Sequence, residues 1–259
     1  MTRRFPIERF VAGHSNPAFD ELSVEEPLQV LLNGKPFATL MRTPGSDIAL
    51  VEGFLFSEGI ISVPSDILEI VVTQHPTSQE IAVQLAGHCQ WTQASARSLY
   101  LSSSCGVCGR ASVDQLLDRI DSITPLTVSP EFLISLLPKF SAAQKDFSRT
   151  GGVHAAALFN TAGEVLTMHE DVGRHNALDK LIGEKFRAGA VPLSGQILVM
   201  SSRASFDIVQ KAATAGIPVV ASMGAASSLA ASLAQAAGIH LHCFVREKSL
   251  VGFPLTGRY

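Results

Sequence analysis

The chain has 259 residues, of which 46% are hydrophobic and 17% charged, a balance typical of a globular protein with a large core. Its formal net charge of −3 argues against a basic surface that binds nucleic acid. No apolar run approaches the roughly 18 residues of a membrane span, and no apolar signal stretch follows Arg3 and Arg4, so we expect a cytoplasmic protein without a membrane segment.

The N-terminal third predicts a hairpin, a helix and two further strands. Asn33-Gly34 between the apolar runs 29–32 and 37–41 is a strong signal for a hairpin turn. A helix is expected from Ser46 to about Glu58, where Gly59 ends it. The further strands are expected at 67–73 and 80–85.

The middle of the chain predicts a loop of small residues followed by two helices. The loop covers 102–110, and the helices are expected at 113–120 and 130–139. Residues 141–152 are the best candidate for a long functional loop.

The C-terminal half predicts a second hairpin and then a repeat of strands and helices. The hairpin joins 155–159 to 164–169, and a helix is expected over 173–187. Strands begin near Gln196, Pro218 and His240, and the helices 205–215 and 227–237 between them each run from a serine to a glycine. Such alternation predicts crossover units with parallel strands.

These elements together predict an α/β fold with a mixed sheet, in which hairpins feed a parallel strand–helix portion. No low-complexity linker divides the chain. We distinguish an N-terminal extension (1–24), an N-terminal portion with the cysteine loop (25–140) and a C-terminal α/β portion (141–259), which can also form one continuous domain.

The sharpest local feature is the pair Cys105 and Cys108, which forms a CxxC motif in a loop rich in glycine and serine. Four cysteines are too few for a disulfide scaffold, so this pair points to redox, metal or sulfur chemistry. If the pair opens the following helix, the helix dipole favours a thiolate. The residues leave four interpretations: a thioredoxin-like redox pair, part of a zinc site, two unremarkable thiols, or a sulfur carrier.

A structural zinc site usually needs two close pairs of ligands, and this chain offers one. The other histidines and cysteines that could complete a set lack the expected spacing. They are His88-Cys89, His242-Cys243, His154 and His175.

A second feature is the polar run 169–180, which follows Thr150-Gly151-Gly152-Val153-His154-Ala155. Its acidic residues crowd the predicted start of a helix, where they satisfy the helix dipole and its free N–H groups. Part of this run is therefore structural, and a functional role for the rest stays open.

A third feature is a set of cations and small hydroxyls at the predicted carboxyl ends of parallel strands, where ligands collect in such sheets. Arg203 follows one strand, and Arg246 and Lys248 end another. Arginines and hydroxyls beside helix N-termini predict a site for a phosphate-bearing ligand. The chain has no GxGxxG and no Walker A motif, so ordinary dinucleotide and ATP sites are not supported.

Five motifs taken together resemble the formate dehydrogenase accessory sulfurtransferase family, FdhD. They are MRTPG (41–45) with GFLFSEGII (53–61), SSSCGVCG (102–109), TGGVHAAALF (150–159), EDVGRHNA (170–177), and SSRASF (201–206) with QKAA (210–213).

The resemblance implies a cytidine-deaminase-like α/β fold without the deaminase zinc, working as a cytoplasmic homodimer. A cysteine desulfurase would pass sulfur to Cys105 as a persulfide, and Cys108 would assist its transfer. The acceptor would be the molybdenum cofactor in its bis-molybdopterin guanine dinucleotide form, which is the cargo inserted into formate dehydrogenase. The family's cofactor-binding segment corresponds to Phe244, Val245, Arg246, Glu247, Lys248 and Ser249, and Arg203 fits the same anionic ligand.

Two other functions are kept beside this one. A carrier or chaperone that holds the molybdenum cofactor without sulfur chemistry would depend on Arg203 and Arg246 but not on the cysteines. A zinc hydrolase would bind zinc in stoichiometric amount.

Overall fold

A computed structural model describes residues 1–89, 91 and 123–255. The predicted cysteine loop at 102–110 and the predicted helix at 113–120 lie outside these residues. The strands are β1 Thr2–Val11, β2 His14–Ser23, β3 Glu26–Leu32, β4 Lys35–Arg42, β5 Ile67–Gln74, β6 Gln79–Leu85, β7 His154–Phe159, β8 Val165–Asp171, β9 Ile197–Met200, β10 Val219–Ser222, β11 His240–Arg246 and β12 Ser249–Phe253. The α-helices are α1 Asp47–Ser57, α2 Pro130–Ser135, α3 Leu137–Ala143, α4 Lys145–Thr150, α5 Arg174–Arg187, α6 Phe206–Thr214 and α7 Ser228–Ala237.

The first sheet is a two-stranded hairpin of β1 and β2 that the sequence did not predict. The strands pair antiparallel from Thr2↔Ser23 to Val11↔His14. Ser23 at the base of the hairpin bonds Thr150 of α4, with 2.7 Å between the two hydroxyl oxygens. The hairpin leaves large apolar side chains in solvent, and these are Phe5, Phe10, Val11, Phe19 and Leu22.

The second sheet has four strands in the order β4-β3-β6-β5. The predicted hairpin of β3 and β4 is confirmed, and Asn33 and Gly34 both take positive φ angles (49° and 73°) as its tight turn requires. The predicted strands β5 and β6 and the helix α1 are confirmed as well. One face of this sheet contributes the buried side chains Leu28, Val30 and Ile81 to the main core.

The third sheet has six strands in the order β12-β11-β10-β9-β7-β8. The predicted hairpin of β7 and β8 is confirmed, and β9, β10 and β11 are parallel neighbours as predicted. β12 is an antiparallel edge strand that the sequence did not predict. The mixed α/β architecture is therefore confirmed, and the cytidine-deaminase-like description stays a prediction.

Side chains of the six-stranded sheet alternate between two cores, because successive residues of a strand point to opposite faces. Leu198, Met200 and Val220 face the larger core, which also contains residues of α1, α5, α6 and α7. Val199 and Ala221 face a smaller core covered by α2 and α3. Helices thus cover both faces of this sheet, as a sheet with buried parallel strands requires.

Helices α1 and α5 cross in direct backbone contact at two glycines. A Cβ atom on Gly53 would lie 1.9 Å from the Asp179 carbonyl oxygen, and one on Gly183 would lie 1.8 Å from that of Ala49. Only glycine permits this approach, which brings the four-stranded sheet and the six-stranded sheet onto one core. Among the described helices, none is long and apolar enough to cross a membrane.

The prediction of a long functional loop at 141–152 is wrong. These residues include the end of α3 and the whole of α4. The reason is a contact from a distant strand, because the Glu170 carboxylate accepts hydrogen bonds from the backbone N–H groups of Asp146 and Phe147, both at 2.8 Å. That carboxylate satisfies the free donors at the start of α4.

Candidate functional site

The carboxyl ends of β9, β10 and β11 lie side by side and form one surface. We call this surface the carboxyl edge and define it as residues 201–203, 222–224 and 244–249. Parallel pairing places the three strand ends together, as the sequence predicts for Arg203, Arg246 and Lys248. Residues 244–249 span the end of β11, a turn and the first residue of β12.

Backbone hydrogen bonds fix the turns of the carboxyl edge to one another. Gly224 N donates to the Ser202 carbonyl oxygen at 2.9 Å, and Phe244 N donates to the Gly224 carbonyl oxygen at 3.1 Å. The buried Ser222 hydroxyl donates to the Ser202 carbonyl oxygen and accepts from Gly224 N. These bonds hold the edge rigid without using its charged side chains.

Gly224 is the residue at which the β9 and β10 turns approach most closely. A Cβ atom there would lie 2.7 Å from both Cα and N of Arg203. Because Gly224 has no Cβ atom, the Arg203 backbone can pack directly against the turn after β10. This contact fixes the position of the Arg203 Cα atom, from which the side chain extends.

Phe244 has an unusual backbone conformation in a β-bulge of β11. Its φ angle is +49°, in the left-handed region that bulky residues rarely adopt. The pairing of β11 with β12 shifts register between Cys243 and Arg246, and the Phe244 ring is 48% exposed. Such strain is of the order of 1–3 kcal/mol and concentrates at ligand sites. The bulge presents an aromatic ring beside the cations of the edge.

The cations of the carboxyl edge are available to a ligand. Within the described part of the chain, Arg203 and Lys248 are exposed and have no ion-pair partner. Arg246 is also exposed, and its Nη1 donates to the carbonyl oxygens of Met223 at 2.6 Å and Val245 at 2.9 Å. Those bonds orient the guanidinium of an exposed residue, so the edge can bind an anion beside an aromatic ring.

A polar cluster of side chains from β7, α5 and the start of α6 adjoins this edge. His154 Nδ1 lies 3.4 Å from Ser201 Oγ, and burial together with the nearby charges of Arg174 and His175 lowers the pKa of His154. In the described residues, Arg174 Nε and the hydroxyl of Ser205 are buried without a hydrogen-bond partner, whereas His175 Nε2 lies 3.5 Å from Asp207 Oδ2. Unsatisfied buried donors are costly, so this cluster suits a polar or anionic group beside Arg174 and Ser205.

The polar run 169–180 is largely structural. Asp171 is buried and accepts from Lys180 Nζ at 2.7 Å and from Thr43 N at 3.1 Å. Lys180 Nζ also donates to the Thr43 carbonyl oxygen at 2.7 Å, and Asn176 donates to Asp171 at 3.0 Å and to the Met41 carbonyl oxygen at 2.7 Å. We call Thr43, Asp171 and Lys180 the buried clasp, because it joins β4 to β8 and α5.

A second buried ion pair joins α6 to α5 and to the end of α1. Lys211 Nζ of α6 contacts Asp179 Oδ1 of α5 at 2.9 Å and Glu58 at 3.8 Å. Burial alone would lower the pKa of Lys211, but the neighbouring carboxylates outweigh burial and raise it. The lysine of the QKAA motif therefore has a structural role, because it neutralises the carboxylates of Asp179 in α5 and Glu58 at the end of α1.

Cys105 and Cys108 lie outside the described residues. The other two cysteines are free, and burial raises the pKa of the Cys243 thiol to about 11, so that thiol is unreactive. Away from the carboxyl edge, Asp66, His88 and Cys89 bring three possible metal-ligand atoms within 4.8 Å of one another. Sequence spacing missed this group because Asp66 is remote in the chain.

Comparisons with known proteins agree with the sequence motifs. The model of the FdhD/NarQ family matches residues 23–258. Sulfur carrier protein FdhD of Streptomyces avermitilis is 44% identical over 261 residues, covering 96% of this chain and 93% of that protein. Sulfur carrier protein FdhD of Mycobacterium tuberculosis is 43% identical over 245 residues, covering 89% and 88%.

A solved structure shares the fold. It is a crystal structure from Desulfotalea psychrophila, described as that of a proposed formate dehydrogenase accessory protein. The TM-score is 0.79 at 23% sequence identity, and the match covers 97% of this chain and 96% of the other.

Proposed function

Because this chain belongs to the FdhD/NarQ family, we propose that it is a sulfur carrier that serves formate dehydrogenase. The observation that carries this proposal is the intact Cys105 and Cys108 pair in a chain so similar to named sulfur carriers. The chain would act as a sulfurtransferase in the cytoplasm, with a cysteine desulfurase as its sulfur donor.

The sulfur step follows thiol exchange chemistry. The Cys105 thiolate attacks the outer sulfur of the desulfurase persulfide, a new S–S bond forms on Cys105, and the desulfurase cysteine leaves as a thiolate. Attack by the Cys108 thiolate on the Cys105 sulfur would then release the carried sulfur as hydrosulfide. That second step leaves a Cys105–Cys108 disulfide, which a thiol reductant must reduce before another cycle.

The sulfur acceptor proposed here is the molybdenum cofactor in its bis-molybdopterin guanine dinucleotide form, bound as cargo. The carboxyl edge supports this proposal, because Arg203, Arg246 and Lys248 suit its phosphates. The exposed Phe244 ring suits stacking against a guanine base. The residues proposed to bind it are Arg203, Phe244, Val245, Arg246, Glu247, Lys248 and Ser249.

The test is the intact mass of the purified chain after incubation with a cysteine desulfurase and cysteine. We expect a gain of one sulfur that a reductant removes. Cys105→Ala should abolish the gain, whereas Cys89→Ser and Cys243→Ala, which remove the cysteines outside the CxxC pair, should keep it. No gain in the unmodified chain, with guanine-nucleotide binding retained, would instead favour the carrier or chaperone without sulfur chemistry.

We also propose that the chain is a homodimer. The β1–β2 hairpin supports this, because a two-stranded hairpin with exposed phenylalanines is poorly stable unless its apolar side chains are covered. Sedimentation should show that Phe10→Ser weakens the dimer. Val63→Ser, at an exposed apolar residue outside the hairpin, is the matched control, and equal dimerisation of both variants would contradict this role of the hairpin.

A further inference from the structure

Asp66, His88 and Cys89 form a compact group far in sequence from the carboxyl edge, and the proposed sulfur chemistry does not use it. Asp66 ends the short 3₁₀ helix Pro64–Asp66, and the other two residues sit in the turn after β6. Asp66 Oδ1 lies 2.9 Å from His88 Nε2, and Cys89 Sγ completes a set of three ligand atoms within 4.8 Å.

The carboxylate of Asp66 is held in place by backbone hydrogen bonds to its Oδ2 atom. Asp66 Oδ2 accepts from the backbone N–H groups of Ser62 at 2.6 Å and Val63 at 3.1 Å. The backbone therefore anchors Oδ2, while Oδ1 faces His88, the residue that supplies the second proposed ligand.

The turn that carries the other two ligands is fastened to the same residue. Ala86 N donates to the Asp66 carbonyl oxygen at 2.8 Å, and Cys89 N donates to the Ala86 carbonyl oxygen at 3.0 Å. The Cys89 Sγ lies 3.9 Å from the Asp66 carbonyl oxygen. In metal sites, hydrogen bonds of this kind hold the ligand residues in the orientation that the metal needs.

The group combines one oxygen, one nitrogen and one sulfur donor, which is the donor chemistry of zinc. Zinc bonds of about 2.0–2.3 Å at tetrahedral angles place ligand atoms about 3.3–3.6 Å apart, so small side-chain movements would suffice. His88 can make them, because its side chain is 72% exposed. Asp66 and Cys89 as anions and His88 as a neutral ring would balance the charge of a divalent ion.

We propose that Asp66 Oδ1, His88 Nε2 and Cys89 Sγ form a site for a zinc-class divalent metal ion, with no fourth protein ligand among the described residues. Binding replaces the Asp66–His88 hydrogen bond and forms the three metal–ligand bonds. The thiol proton of Cys89 leaves to solvent as the metal–sulfur bond forms, and His88 gives up the Nε2 proton that it donates to Asp66, so that the ring binds the metal as the neutral Nδ1–H tautomer. The family resemblance implied a fold without the deaminase zinc, so a metal bound here would go beyond that expectation.

The test is titration of the full chain with Co²⁺, an ion whose thiolate charge-transfer band reports a bound cysteine. The titration uses the Cys105→Ser/Cys108→Ser variant, so that the CxxC pair cannot bind the ion. We expect one Co²⁺ per chain with a charge-transfer band that Zn²⁺ abolishes by displacement, and binding that weakens as the pH falls.

Single variants in that background identify the ligands. Cys89→Ser should remove the charge-transfer band. His88→Gln should weaken binding by at least about tenfold, since it removes one ligand from an exposed position. Asp66→Asn keeps an oxygen for Ser62 and Val63 and should weaken binding as well. His75→Gln, at an exposed histidine outside the group, should bind normally.

Two results would overturn the proposal. One is a charge-transfer band that appears only when Cys105 and Cys108 are present, which would place the metal on the CxxC pair. The other is a band that persists in Cys89→Ser, or the absence of Co²⁺ binding in the double variant with a normal unfolding temperature.

Discussion

The buried clasp and the carboxyl edge are both rich in charge, but the chain treats their charges in opposite ways. In the clasp, Asp171 and Lys180 are almost fully buried and meet each other and Thr43. At the edge, Arg203 and Lys248 are exposed and have no ion-pair partner within the described residues. A charge whose every bond is made inside the protein holds elements together, whereas an unpaired charge at strand ends is available to a ligand.

The largest effect is expected in the buried interior, where α1 and α5 cross in direct backbone contact. Gly183→Ala puts a Cβ atom 1.8 Å from the Ala49 carbonyl oxygen, so α1 and α5 must separate. We expect a loss of about 4 kcal/mol or more in the free energy of unfolding, or failure to fold. Urea denaturation measures it, and Gly87→Ala, which meets nothing within 4 Å, is the control.

The next largest effect is expected in the clasp itself. Lys180→Met leaves the buried Asp171 carboxylate without its cation, which should cost about 3 kcal/mol or more of unfolding free energy. Adding Asp171→Asn should recover part of that loss, because the uncompensated charge is gone. Lys248→Met at the edge should change stability little, and an equal loss in both lysine variants would break the comparison.

The carboxyl edge should show the reverse pattern. Arg246→Ala removes an oriented guanidinium but little buried surface, so we expect an unchanged unfolding temperature. Affinity for GDP should fall by about tenfold to a hundredfold, as expected for a charge-assisted hydrogen bond. Equilibrium dialysis measures it, and Arg9→Ala, at an exposed arginine of the hairpin, is the matched control. Unchanged GDP affinity would remove Arg246 from the site.

Elements with strong local signals were predictable. The turn at Asn33-Gly34 and the strand–helix repeats are determined by residues close together in the chain. The hairpin and the parallel strands could therefore be predicted from the sequence alone. The β1–β2 hairpin was missed because Pro6 and Pro17 argue against strands. Within the described part of the chain, each strand of this hairpin has an unpaired outer edge, where a residue without an N–H group is tolerated.

Features that depend on distant contacts were not predictable. α4 exists as a helix because Glu170 reaches it from β8. Asp66 joins His88 and Cys89 only after β5 and β6 pair. At the candidate site, the convergence of Arg203 and Arg246 could be predicted from strand order, whereas the strained backbone of Phe244 depends on pairing with β12.

The smallest effect is expected at His154, in the polar cluster beside the carboxyl edge. Burial, with Arg174 and His175 nearby, holds the pKa of His154 below its ordinary value of 6.5. A histidine with a lowered folded-state pKa binds fewer protons when folded, so its contribution to stability is full above pH 6.5 and is lost as the pH falls below it. His154→Gln should therefore make the free energy of unfolding less dependent on pH between 7 and 5 by urea denaturation, whereas His14→Gln at the exposed hairpin turn should not. If both variants keep the pH dependence of the unfolding free energy of the unmodified chain, folding does not change the proton affinity of His154. The polar cluster would then resemble the exposed carboxyl edge and not the buried clasp.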